Sequence, residues 1–195
     1  MVRQDIKYRD DFRGAQFHPH VFLMWLGLVS IAMLFAGLIS AYIVRQSAGN
    51  WLEFPLPDIF IYSTLTIVIS SATLAWAYRS YLRGWQRSYR QGLLLTFLLG
   101  VAFLVMQYYG WSELYSKGIG ISGNPAGSFL YVLTGLHALH LIGGLFALAV
   151  IVYQAWWGHV QMSQRQVIRL KIISYYWHFL MILWIILYGF LYFTR

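Results

Sequence analysis

Cysteine is absent from this 195-residue sequence, which excludes disulfides, thiolate metal sites and cysteine nucleophiles. Acidic residues number six, and all of them (Asp5, Asp10, Asp11, Glu53, Asp58 and Glu113) fall outside the long apolar runs. Pumps and proton-coupled carriers usually load and unload through an intramembrane carboxylate or base, so a carrier mechanism is poorly supported. Charged residues amount to 10%, against about 25% in soluble domains. Proline is scarce too, four against 17 glycines, a balance that suits membrane helices, where small residues let backbones approach. No nucleophile–base pair, phosphate loop or carboxylate dyad is visible.

What remains is apolar: 59% of residues are hydrophobic and the mean hydropathy is +0.59. Five runs are long enough to cross a bilayer core of roughly 30 Å, at 22–44, 59–78, 92–111, 128–152 and 172–193. The fold class that follows is all-α, a polytopic membrane protein of five transmembrane helices, read as one membrane domain over 1–195. Residues 1–17 form a polar segment of mixed sign, either lying on the surface or a disordered tail, with no signal-peptide cleavage pattern after the first run. His18, Pro19 and His20 read as an interfacial helix entry with proline early in the helix, rather than as a metal pair. Of the connections, 50–58 is a loop broken by two prolines, and 79–90, with four arginines interleaved among Tyr81, Trp85 and Tyr89, reads as an amphipathic surface connection. The stretch 112–127 is a glycine-rich loop whose Asn124-Pro125 favours a turn, and 159–171 is a basic connector.

The net charge of +8 follows topology rather than a nucleic-acid partner. With the N-terminus in the cytoplasm, Arg3, Lys7, Arg9, Arg13, Arg79, Arg83, Arg87, Arg90, Arg165, Arg169 and Lys171 lie inside. Only Arg45, Lys117 and Arg195 lie outside. Basic residues in short loops set orientation, so the reading is N-terminus in and C-terminus out. Five spans do not divide into equal halves, which weighs against an inverted-repeat transporter.

The chemistry available in the spans is concentrated in 128–144, SFLYVLTGLHALHLIGG. His137 and His140, three residues apart, share a helix face with Gly144, and polar groups at membrane depth should face protein rather than lipid. Thr134 and Gly135 stand beside them. Gln107 in the third span and Trp177 and His178 in the fifth complete the intramembrane polar and packing face. Haem ligation by His137, His140 or His178 would need ligands at matched depth on facing helices, and the spacing puts His178 at a different depth from the other two. The favoured reading is that these histidines hydrogen-bond across helices and hold the bundle in register. No catalytic, cofactor-binding or metal-binding residue is assigned.

The order of motifs resembles subunit III of haem–copper terminal oxidases in the five-helix bacterial form. The resemblance rests on GSFLYVLTGLHALHLIGG (127–144) and YYWHFLMILWIILYGFLY (175–192), supported by SIAMLFAGLISAYIVR (30–45), PLP followed by SSATLAWA (55–77) and LGVAFLVMQYYGW (99–111). It implies an accessory subunit of a cytochrome c or quinol oxidase in a bacterial cytoplasmic membrane, with haem and copper in the partner catalytic subunit and phospholipid bound. It also implies a two-arm bundle, helices 1 and 2 against helices 3 to 5, with a lipid-filled cleft between. Carboxylates common in the family are replaced here by Ile31, Gly110 and Met181, which favours a scaffold over direct proton handling. The readings left beside it are a small b-type cytochrome using a histidine of the fourth span, and a carrier.

Overall fold

A computed structural model describes residues 19–157 and 164–194; the polar segment 1–17, His18 and the first part of the basic connector, 158–163, lie outside the described residues. Among the described residues five α-helices make up the regular structure: α1 (Pro19–Ser47), α2 (Ile59–Leu82), α3 (Gln86–Ser116), α4 (Pro125–Trp157) and α5 (Gln164–Phe193). All five contain a stretch long and apolar enough to cross a membrane. Pro19 and Pro125 open α1 and α4, where a missing backbone N–H leaves no helical bond unmade.

Each helix outruns the apolar run that announces it. The first two runs end at an arginine, Arg45 and Arg79, but a long basic side chain can carry its charge out of the apolar layer while its backbone stays helical. This corrects the reading of 79–90 as a separate surface element. Arg79 lies in the last turn of α2, and Arg87 and Arg90 lie in the first turns of α3. Between the helices stand only Arg83, Gly84 and Trp85, with Gly84 at φ 75° and the Arg83 guanidinium 5.2 Å from the centroid of the Trp85 ring. A left-handed φ at Gly84 is what permits so tight a reversal.

That reversal brings α2 and α3 into the most extensive interface of the bundle. Ala77 and Gly92 meet across it, so closely that a Cβ on Gly92 would lie 2.8 Å from the Ala77 Cβ and 3.1 Å from its Cα. α2 also packs on α5, α4 packs on both α3 and α5, and α1 lies on α4 and α5. The expected arm of α1 with α2 is therefore not the grouping observed: α2 belongs with α3, and α1 and α2 scarcely touch. The physical reason is the glycine–alanine seam and the three-residue turn leading to it, which fasten α2 to its successor. α1 is the peripheral member, with 11% of its apolar window buried against 33–39% in the others.

The end of the bundle carrying the α1–α2 and α3–α4 loops is cross-stitched. The Asn124 side chain accepts from the Leu52 N–H (3.3 Å) and donates to the Asn50 carbonyl (3.2 Å), while Gln46 Nε2 donates to the Thr194 carbonyl (2.7 Å). Tyr131 donates to the carbonyls of Trp111 and Ile119 at 3.1 and 3.0 Å. These bonds join both loops and Thr194 to the helix ends.

Candidate functional site

Polar side chains inside the bundle are organised by α2, which carries hydroxyls at Ser63, Thr64, Ser70 and Ser71. A seven-residue repeat separates the two pairs, and seven residues are close to two helical turns, so both pairs project from one face. Each hydroxyl meets a different partner. Gln107 Nε2 on α3 donates to Ser63 Oγ at 3.0 Å. Trp184 Nε1 on α5 donates to Thr64 Oγ1 at 2.9 Å. Trp177 Nε1, also on α5, donates to Ser70 Oγ at 3.2 Å, and Ser70 in turn donates to the Thr96 carbonyl of α3 at 3.0 Å. Ser71 Oγ and His178 Nδ1 share a short hydrogen bond between α2 and α5.

The same device recurs between α3 and α4, where Trp111 Nε1 donates to Thr134 Oγ1 at 3.0 Å. Thr134 gives its own proton to the Leu130 carbonyl (2.7 Å), as Thr64 and Ser63 give theirs to the Phe60 carbonyl (2.7 and 3.0 Å). A hydroxyl tied to its own helix presents its lone pairs outward, ready for a donor from a neighbour. In a lipid interior an indole or amide N–H has no water to turn to, so such pairs fix which helix faces come together.

The histidines divide. His178 makes the cross-helix bond expected of it. His140 does not: its Nδ1 donates to the Leu136 carbonyl of its own helix at 2.7 Å, and the link to α5 runs through its backbone carbonyl, which accepts from Tyr176 at 2.9 Å. His137 is fully buried, and neither ring nitrogen has a hydrogen-bond partner. Its ring is instead enclosed by aromatics, with Trp184 and Phe103 at centroid distances of 5.1 and 5.9 Å. The reading of all three as cross-helix hydrogen bonds therefore holds for His178 and is corrected for His137 and His140. His137 points at two hydrocarbon-rich rings, and His140 sits a turn further round, beside Phe35 of α1 at 5.8 Å.

Trp177 and Gly144 do meet. A Cβ on Gly144 would lie 3.3 Å from Trp177 Cζ3 and 3.0 Å from Tyr176, and a Cβ on Gly100 would lie 2.9 Å from Trp177 Cη2. The Trp177 indole is thus slotted between glycines of α3 and α4. Gly135 stands apart from these contacts, with nothing of this chain within 4 Å of where its Cβ would be. Gly144→Leu is expected to lower recovery of folded protein after mild heating several-fold, and Gly143→Leu, where a Cβ meets nothing within 4 Å, to leave it near wild type. Thermal stability in detergent followed by size exclusion checks this. A milder case is Ser71→Ala, which removes the partner of His178 and is expected to cost about 0.6 kcal/mol, at most about 1.7, in a detergent unfolding titration.

His137 and His178 do not suit a shared haem. His137 lies level with Trp184, six residues from His178 along α5, so the two imidazoles are separated by roughly 9 Å of helix rise. Among the described residues no three of His, Cys, Asp and Glu gather where a metal ion could be held. At two of the three positions where the resemblance would put carboxylates stand packed apolar residues, Ile31 and Met181, each partly buried against a core cluster. At the third, Gly110, the Phe60 ring lies where a side chain would start.

The α2 hydroxyls are the interhelical contacts that the run of apolar letters concealed; their spacing at 63, 64, 70 and 71 was the available signal. The sequence model of cytochrome c oxidase subunit III matches residues 20–195. A probable cytochrome c oxidase subunit 3 of Mycobacterium tuberculosis is 34% identical over 179 residues, covering 89% of this chain and 86% of the relative. The cytochrome bo(3) ubiquinol oxidase subunit 3 of Pseudomonas aeruginosa is 32% identical over 170 residues, covering 85% of this chain and 80% of the relative. A five-helix apolar bundle whose interior polar groups serve helix contacts, matched over nearly its whole length, belongs to the cytochrome c oxidase subunit III family, the non-catalytic third subunits of haem–copper terminal oxidases.

Proposed function

We propose that this chain supports the catalytic subunit of a respiratory oxidase in a bacterial cytoplasmic membrane, as a scaffold within the complex. One observation carries the reading: the buried polar side chains that have partners use them to join helices, and His137 and His178 lie at separate levels with no ligand set among the described residues. Haem and copper belong to the partner subunit, and this chain contributes packing and lipid contact. The N-terminus faces the cytoplasm, supported by the sorting of basic residues. Phospholipid lies along α1, whose apolar faces are the most exposed of the bundle. The 1–195 chain acts as one membrane domain without a nucleic-acid partner, and cytochrome c is the favoured electron donor.

The test is to remove this chain from its native membrane by gene deletion. The scaffold reading expects the haem content per catalytic subunit to persist while activity decays faster during sustained turnover. Loss of a haem signal in proportion to this chain, with oxidase turnover unchanged, would overturn it.

A further inference from the structure

Four buried side-chain polar atoms among the described residues lack partners: Arg90 Nε in the first turns of α3, and Gln107 Oε1, His137 Nδ1 and His137 Nε2 deeper in the bundle, the last three at one level as the contacts beside them place them. Phe103, one turn before Gln107 on α3, touches the His137 ring, and Trp111, one turn after Gln107, bonds Thr134, one turn before His137 on α4. Gln107 is therefore bracketed on both sides by contacts to the helix segment that carries His137. Both side chains are essentially inaccessible, at 1% and 0% exposure. The surrounding protein has nothing left to offer them: Ser63 gives its proton to Phe60, Thr134 to Leu130, and the Trp184 indole N–H goes to Thr64. Turning the Gln107 amide over does not help, because it would leave an N–H orphaned in place of the carbonyl.

We infer that this level of the bundle is an internal hydration site, in which bound water bridges Gln107 Oε1 and the His137 ring. The chemistry required is specific. Gln107 Oε1 needs a donor, and a neutral imidazole needs both a donor for its bare nitrogen and an acceptor for its N–H. Water can play either part: one bridging molecule donates to Gln107 Oε1 and serves one ring nitrogen, and a second serves the other nitrogen, which points away from the first, whereas a cation offers no acceptor and an anion offers no donor. Buried water characteristically makes two to four bonds to otherwise unsatisfied groups, and a polar node at this depth in an apolar bundle is where one would be held. The aromatic walls, Phe103 and Trp184 5.0 Å apart edge to face, seal the site from lipid.

The inference concerns the chain's own interior and does not depend on its role in an oxidase. It is tested on the assembly isolated from native membrane, by electron cryomicroscopy at a resolution that shows ordered water. Density within hydrogen-bond distance of both Gln107 Oε1 and a His137 nitrogen is the expected result. Direct protein contacts to these atoms, or no density between them, would overturn it. A second measurement compares Gln107→Leu, His137→Phe and the double variant by heat resistance of the same assembly. A shared water expects the double variant to retain more protein than the product of the two single losses, because nothing polar is then left unbridged. Losses that simply multiply would contradict a shared water.

Discussion

Gly92→Leu is expected to be among the most damaging single substitutions in this bundle. Glycine there lets the α2 and α3 backbones approach until the Ala77 Cβ, Cα and N lie 2.8, 3.1 and 3.2 Å from where a Cβ on residue 92 would begin. The obstructing atoms include backbone, which cannot rotate away as the tip of a side chain can. Relief has to come from parting the two helices, and that would pull on Ser70, which bonds the Thr96 carbonyl, and on Thr73, which lies 2.9 Å from Thr96 Oγ1. Overpacking costs about 1–3 kcal/mol where neighbours can adjust, and a backbone obstacle places this case at the upper end. Between helices in lipid there is little hydrophobic force to compensate, because association rests on van der Waals contact and hydrogen bonds. Detergent-solubilised Gly92→Leu protein should lose most of its monodisperse fraction at temperatures wild type survives. Gly189→Leu, placed where a Cβ meets nothing within 4 Å, should not. Equal behaviour of the two would show that the α2–α3 seam is not where the bundle is tight.

Trp184→Ala is the second large effect. The indole is 1% exposed and lies against Phe60, Phe103 and His137, with centroid distances of 6.2, 5.0 and 5.1 Å. Its N–H also holds Thr64, so four of the five helices meet at this one side chain. Truncating a buried tryptophan costs about 3–5 kcal/mol in soluble cores, part of it transfer from water and part the cavity left behind. In lipid the transfer part shrinks, since tails are as apolar as the core, and the cavity part remains; about 3 kcal/mol is expected. Trp184→Phe keeps most of the packing and loses the indole N–H, and should recover more than half of the lost stability. A detergent unfolding titration of the three proteins checks this, and a Trp184→Ala effect below that of Ser71→Ala would contradict the assignment of Trp184 as the hub.

The helices were legible in the sequence because an apolar run interrupted by arginines and prolines has few other meanings. Their ends were less so. The run that stops at Tyr78 continues as helix to Leu82, and α3 starts at Gln86 rather than Gly92, because arginine side chains reach outward while the backbone stays in the helix. The candidate site was legible in part. Trp177, Gly144, Gln107, Thr134 and His178 face other helices as their polarity or small size requires. His137 differed because a fully enclosed imidazole looks the same in a sequence whether its neighbours are hydroxyls or phenyl rings. The α2 hydroxyls went unnoticed for a related reason: serine and threonine in an apolar run can bond their own helix and need no partner. The pairing of α2 with α3 depended on one glycine meeting one alanine, a juxtaposition that only the folded chain displays.

The most direct measurement is to isolate this chain from its native membrane in mild detergent and record the optical spectrum of what accompanies it. An accessory subunit predicts haem a or haem o absorbance together with a large co-purifying subunit. A lone band at 22.7 kDa, whether it carries a b-type haem spectrum or is colourless, would contradict it.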